Sequence, residues 1–229
     1  MSPSTAARLA GVQALVLDFD GTLARLTIDF GLMRRSVVDL VRAAGVRDPE
    51  VERLHVLELV DAAVATLPTD EAVRLRTECS AAIEAAELTG ASRAALLPGV
   101  ADSLDALRSE GIRVGVITRN CRRAVLAVAP DLLDHADALL AREDVPRTKP
   151  HPDHPLRCLR LIGADGSAAA LVGDHIMDIE TAHAAGLMGI GVLTGAAGAD
   201  DLRAAGAEVV FPDVTALADA ILDGRRASG

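Results

Sequence analysis

The chain has 229 residues, half of them hydrophobic, enough for one large domain or for a core domain with a small second one. Only 1% are aromatic, with no Trp or Tyr, so the interior must be filled by Ala, Val, Leu and Ile, and the composition argues against nucleic-acid recognition by stacked rings. A formal net charge of -10, with basic residues scattered as singles and short pairs such as Arg34-Arg35 and Arg122-Arg123, argues further against a nucleic-acid partner.

The N-terminal stretch carries one Arg and a brief apolar run, without the longer apolar region and small-residue cleavage site of a secretory leader, so no export is expected. "VQALVLDF" follows, an apolar run of strand length that reads as buried on both faces, as in a parallel sheet. From Phe30 to about Leu96 the pattern changes. Met33, Val37, Val41, Leu54, Leu57, Val73, Leu75 and Ile83 recur near helical spacing, and Pro49, Pro68 and Gly90 punctuate the segments. An all-helical insertion of three or four helices is predicted here, which places a helical domain at 25–94 and a core domain at 1–24 and 95–229.

A helix carrying Leu104 and Leu107 then stops at Gly111 and yields to the strand "IRVGVIT". The remainder alternates: helix 121–128, strand "ADALL", helix 155–161, strand "AAALVGD", helix 178–185, strand "GIGVL", helix 199–205, strand "EVVF" and helix 214–222. Such alternation predicts an α/β fold, a Rossmann-like parallel sheet with helices on both faces. Ala184–Ala199, the longest uncharged stretch, is too short and too rich in Gly to span a membrane, and "TGAAGADD" reads as a mobile loop. Cys79, Cys121 and Cys158 are odd in number and in no metal-like spacing, so free thiols in a reduced, cytoplasmic setting are expected.

In an open parallel sheet the functional residues collect at the carboxyl ends of the strands. Here those ends carry Asp18-Phe19-Asp20, Thr118 and Asp174, with Asp178 beginning the helix behind Asp174 and Lys149 in the loop "RTKPHP". Two carboxylates two residues apart repel one another and each prefers water, so the pair needs a cation or a shared proton. Three or four carboxylates together form a hard-oxygen site suited to Mg2+. The inventory fits phosphoryl transfer: an Asp nucleophile, Lys149 and a cation for charge, the Thr118 hydroxyl and nearby backbone N–H groups for the phosphoryl oxygens, and Asp20 as general acid and then base.

Asp18-Phe19-Asp20-Gly21-Thr22, Thr118 in "VITRN", Lys149 in "TKPHPD" and "GDHIMD" resemble, in order and spacing, the four motifs of the haloacid dehalogenase superfamily, over nearly the whole chain. The resemblance implies that Asp18 becomes an aspartyl-phosphate and that Asp20 is the acid/base and also offers its main-chain carbonyl to Mg2+. Asp174 would ligate the ion, Asp178 would orient Lys149 or a water of the ion, and Thr118, Arg119 (through its backbone N–H), Asn120 and Lys149 would hold phosphate. Dehalogenases of the superfamily lack the second aspartate, so Asp20 points to phosphate chemistry.

The helical insertion resembles the cap of phosphoglycolate phosphatase-like members, although "TLARLTIDFGLMRR" departs from the start of the best-known phosphoglycolate enzymes. The expected activity is Mg2+-dependent hydrolysis of a small phosphorylated metabolite. A sugar-phosphate mutase on the same scaffold is the alternative, and a phosphate-sensing binding protein is disfavoured by an acidic pair on the first strand. His175 stands where a small polar residue is common, beside Asp174. His55, His135, His151, His154 and His183 are scattered and carry no expected role. Arg25, Arg34 and Arg35 read as a solvated helix face or as readers of an anionic substrate, and Cys121 reads as structural.

Overall fold

The computed structural model describes residues 3–25 and 27–228 and divides into two compact units, Met1–Leu26 with Ala94–Gly229, and Thr27–Arg93. In chain order, α1 (Pro3–Ala10) and β1 (Ala14–Asp18) lead into α2 (Phe30–Ala43), α3 (Pro49–Arg53), α4 (Val56–Val64) and α5 (Thr69–Ala91). Next come α6 (Val100–Ser109), β2 (Arg113–Ile117), α7 (Arg122–Val128), α8 (Leu132–His135) and β3 (Ala138–Leu140). The chain closes with α9 (Asp153–Leu161), β4 (Ala169–Gly173), α10 (Ile176–Ala184), β5 (Met188–Val192), α11 (Ala199–Ala204), β6 (Val209–Phe211) and α12 (Val214–Ser228).

The six strands form one sheet in the order β3-β2-β1-β4-β5-β6, and every pairing is parallel. β1 is buried along its whole length, and its side chains alternate between two apolar layers as the two-residue repeat of a strand requires. Leu15 and Leu17 join a core with Leu9 of α1, Leu104 and Leu107 of α6, Val125 of α7 and Leu217 and Ile221 of α12. Ala14 and Val16 join another with Cys158 and Leu159 of α9 and Ala182 of α10. Helices therefore cover both faces, the α/β architecture read from the alternation of elements.

Some elements differ from the sequence reading. α1 was not anticipated; its Leu9 and the following Val12 are buried in the layer shared with α12, a tertiary contact that a short terminal run does not announce. α12 runs on to Ser228, past the expected end at residue 222, and α8 is a single turn that local pattern does not mark.

The second unit consists of α2–α5. Val37 and Val41, and Leu75, Cys79 and Ile83, repeat at four-residue spacing and meet Met33, Leu59, Val60 and Ala63 in one apolar cluster. The Asp29 carboxylate accepts from Leu32 N at 2.8 Å to cap α2, and Asp48 accepts from Glu50 N at 2.9 Å to cap α3, whose first residue is Pro49. The Arg34 guanidinium donates to the Leu54 carbonyl at 2.6 Å and to that of Glu52, so it ties α2 to the end of α3. Among the described residues no helix is long and apolar enough to cross a membrane.

Candidate active site

Because all strands are parallel, their carboxyl ends share one edge of the sheet. From β1 the chain builds outward through β2 and β3 and then crosses to β4 on the other side, so the switch point lies between β1 and β4. Leu17 pairs with Val172, which sets Asp18 at the end of β1 opposite the Gly173-Asp174 end of β4. Asp18, Asp174 and Asp178 are all buried, and each offers a carboxylate oxygen within 4.8 Å of those of the others. Lys149 joins them. Its Nζ lies 2.7 Å from Asp18 Oδ1 and 2.5 Å from Asp178 Oδ1, and the residue is only 3% exposed.

Three carboxylates thus face one ammonium. Burial raises the Asp18 carboxyl well above the usual carboxylate range against the pull of Lys149, and the charges of Asp178 and Asp174 raise it further. Asp174 is raised by burial and by Asp178, opposed by the Ala196 N–H, Lys149 and Thr22. Burial alone would lower the Lys149 ammonium, but Asp178 and Asp18 outweigh it and hold Lys149 above its ordinary value, hence charged. A buried, all-oxygen donor set with more negative charge than the protein itself offsets is the environment that Mg2+ fits.

The local chain explains how these groups are held. Gly21 turns at φ 85° beneath Asp174, where a Cβ would lie 2.5 Å from Asp174 Oδ2. The Thr22 hydroxyl donates to Asp174 Oδ1 at 3.1 Å. Asp178 lies in the first turn of α10, and its Oδ2 accepts from His175 N at 3.1 Å, while His175 Nδ1 accepts from Met177 N at 3.1 Å. His175 therefore caps the helix that carries Asp178, a job its sequence position beside Asp174 did not disclose.

Asp20 is not one of the three clustered carboxylates. It accepts from Thr118 Oγ1 at 3.3 Å and from Asn120 Nδ2 at 3.1 and 3.3 Å. Asn120 also receives the Cys121 N–H on its Oδ1 at 2.8 Å and donates its own N–H to Thr118 Oγ1 at 3.0 Å. The structure thus directs the Asn120 amide at Asp20. The Arg119 guanidinium donates to the Lys149 carbonyl at 2.6 Å and contacts Met177 Sδ at 3.2 Å. Cys121 caps α7, its Sγ accepting from Ala124 N at 3.4 Å.

Sequence reasoning gave no role to the loop after β5. The structure ties it down: Thr194 Oγ1 donates to the Gly21 carbonyl at 2.6 Å, Ala196 N to Asp174 Oδ2 at 2.8 Å and Ala197 N to the Asp174 carbonyl at 3.0 Å. The expectation of a mobile loop is corrected here, because its amides are spent on the buried Asp174, one on the carboxylate and one on the main-chain carbonyl. The usable signal was Gly195, where a Cβ would lie 1.9 Å from Asp174 Oδ2.

The model of haloacid dehalogenase-like hydrolases matches residues 12–186, which include every residue of this site except the 194–197 loop. The chain belongs to the haloacid dehalogenase-like hydrolase family. Among curated relatives, the probable phosphatase IndB of Dickeya dadantii (strain 3937) is 33% identical over 132 residues, 56% of this chain and 57% of that protein. Phosphoglycolate phosphatase of Escherichia coli (strain K12) is 30% identical over 128 residues, 55% of this chain and 51% of that protein. Both matches span little more than half of either protein. A hydrolase from Pseudomonas syringae shares the fold with a TM-score of 0.67, at 22% identity over 92% of this chain and 98% of its own.

Proposed function

We propose that this haloacid dehalogenase-like hydrolase is a phosphatase, cleaving the phosphate monoester of a small metabolite through an aspartyl-phosphate on Asp18. The observation that carries the reading is the placement of Asp18 at the switch point, with Lys149 2.7 Å from its carboxylate and Asp20 bonded by Thr118 and Asn120. One carboxylate is thus paired with a buried ammonium, and the other is bonded by different partners, in a position to move a proton.

The reaction follows from those roles. An Asp18 oxygen attacks phosphorus in line as the ester P–O bond breaks, and Asp20 gives its proton to the leaving oxygen. Water then attacks the phosphorus of the aspartyl-phosphate, Asp20 takes its proton, and inorganic phosphate leaves with Asp18 restored. Lys149 balances charge on the phosphoryl oxygens, and the Thr118 hydroxyl, the Arg119 backbone N–H and Asn120 complete their binding. Asp18, Asp174 and the Asp20 main-chain carbonyl would hold Mg2+, with Asp178 supporting the site; when bound, the ion supplies neutralisation of negative charge that Lys149 alone does not. The helical segment 25–94 serves in this reading as the cap that keeps bulk water out.

The names of the two curated relatives support phosphate-ester hydrolysis. The test is phosphate release from a panel of phosphorylated metabolites with Mg2+, wild type against Asp18→Asn. The variant is expected to lose ~10⁴-fold or more in turnover, and quenched wild type to carry phosphate on Asp18 by mass spectrometry. Equal turnover of the two proteins overturns the proposal.

A further inference from the structure

His154, the second residue of α9, is fully buried five residues after Lys149. Both ring nitrogens are engaged by main-chain groups. Nδ1 accepts from the Lys149 N–H at 3.3 Å, and Nε2 lies 3.1 Å from the carbonyl oxygen of Leu140, the last residue of β3. A carbonyl only accepts and an amide N–H only donates, so the two contacts together require the proton on Nε2 and a lone pair on Nδ1. The same Leu140 carbonyl accepts from Thr118 N at 3.1 Å. One carbonyl at the end of β3 therefore anchors Thr118 directly and Lys149 through the imidazole. The other side of the Lys149 main chain is held as well, since its carbonyl accepts from Arg119 at 2.6 Å.

We propose that His154 is a positioning residue for Lys149: fixed as the neutral Nε2–H tautomer, it ties the Lys149 main chain to the carboxyl end of β3 and so sets where the ammonium meets Asp18. The inference rests on the phosphatase reading for its kinetic consequence alone. The electrostatics agree with the geometry. Burial pulls the imidazole down to about 4 against the Leu140 carbonyl, with the charges of Lys149 and Arg119 lowering it and Asp144 raising it. An imidazolium would present a second N–H to the Lys149 amide, donor against donor, and release the loop.

Two substitutions separate positioning from packing. His154→Leu fills similar volume without either hydrogen bond, whereas His154→Asn keeps an acceptor oxygen near the place of Nδ1. His154→Leu is expected to lower kcat ~10- to 100-fold per folded molecule with little change in KM, because displacement of a catalytic group by about 1 Å costs up to about 100-fold. His154→Asn is expected to recover most of that loss, and the ¹⁵N signal of the Lys149 ammonium to shift in the Leu variant and return in the Asn variant. Imidazole ¹⁵N spectra of the wild-type protein at neutral pH are expected to show Nε2 protonated and Nδ1 bare. Unchanged kcat in the Leu variant, equal losses in both variants, or an Nδ1–H or doubly protonated ring overturns the inference. Should His154→Leu fail to fold, the Asn variant's kcat and the wild-type spectrum decide it. A wild type that hydrolyses nothing sinks the phosphatase reading, while the tautomer and the ammonium signal still test the placement of Lys149.

Discussion

Helices α2–α5 bury Met33, Val37, Val41, Leu59, Leu75, Cys79 and Ile83 with Glu87 as the one buried charged side chain among the described residues of their unit, whereas the α/β unit buries three carboxylates and an ammonium about the ends of β1 and β4. The helical unit leaves its ion pairs Arg42–Glu52, Arg53–Glu50 and Arg76–Asp61 at the surface. Taking a charge out of water costs several kcal/mol even after relaxation, so a fold that gathers three carboxyl groups and an ammonium in one buried place gives up stability there. Among its described residues the helical unit makes that concession only at Glu87. Its stability is a matter of apolar packing, and the two units should answer differently to the same kind of damage.

The largest difference is expected from Lys149→Met. Removing the ammonium leaves Asp18 and Asp178 facing each other without their shared partner, and breaking a buried pair in this way costs about 3–5 kcal/mol. Turnover under the proposed mechanism should fall by ~10³-fold, and the denaturation midpoint of the α/β unit should drop. Lys149→Met combined with Asp178→Asn should regain part of the stability and none of the turnover, because the second change removes the repulsion but restores no positive charge. Phosphate release and urea melts read the two effects separately; a double variant with recovered activity would show that the ammonium acts only structurally.

Damage to the other unit is expected to be purely a packing loss. Leu59 is fully buried in the cluster of α2, α4 and α5, and Leu59→Ala should cost about 2–5 kcal/mol through lost burial and the cavity left behind. Hydrogen exchange should quicken in α2, α4 and α5 and stay unchanged in β1 and β4. Equal quickening in the sheet would mean that the units unfold as one.

A third expectation concerns pH and the buried imidazole of the α/β unit. His154 titrates near 4 in the folded chain and near 6.5 when unfolded, so between these values the unfolded state binds more protons and stability falls as the solution is acidified. Above about pH 6.5 the contribution is complete; below about 4 it is lost, and the whole is about 3 kcal/mol. The charged groups acting on the ring are Lys149, Arg119 and Asp144. The difference in stability between wild type and His154→Asn, measured by urea melts from pH 7 down to 4, should shrink by that amount. A difference that does not change with pH would mean that His154 is not held neutral.

These expectations draw on features of unequal legibility. The sheet and its order of elements were readable because β1 is apolar on both faces and helices alternate with strands, and Asp18, Thr118, Lys149 and Asp174 were readable because strand ends and ordered motifs place them. The partners of those residues were not. His154 bonds two main-chain groups, Leu140 and Lys149, and the Thr194–Ala197 loop offers backbone amides to Asp174; a main-chain partner leaves no residue type to recognise. Asn120 was read for phosphate from the resemblance of "VITRN" to the second motif, but the direction of its amide toward Asp20 depends on how β1 and β2 lie side by side. α1 escaped notice because its apolar face is defined by α12, more than 200 residues further along the chain.

The smallest effect, with no consequence for stability or turnover, is in the reactivity of two thiols, and it compares the units most directly. Cys79 of α5 and Cys158 of α9 are both fully buried, and burial pushes their thiols up, to about 11 and about 12. Neither presents a thiolate to a reagent at neutral pH in the folded state, so labelling must wait for local opening. Cys79 belongs to the smaller unit, residues 27–93, with its single apolar cluster, and small units bury a lower share of their surface and open more readily. Cys158 lies in the layer beneath β1 and β2, the centre of the sheet. Cys121→Ser preserves the cap of α7 and removes the third thiol, so a slow thiol reagent followed by peptide mass spectrometry can time the other two. Cys79 is expected to label first; simultaneous labelling would show that the two units open together, and Cys158 first that the charge-laden sheet is the weaker of them.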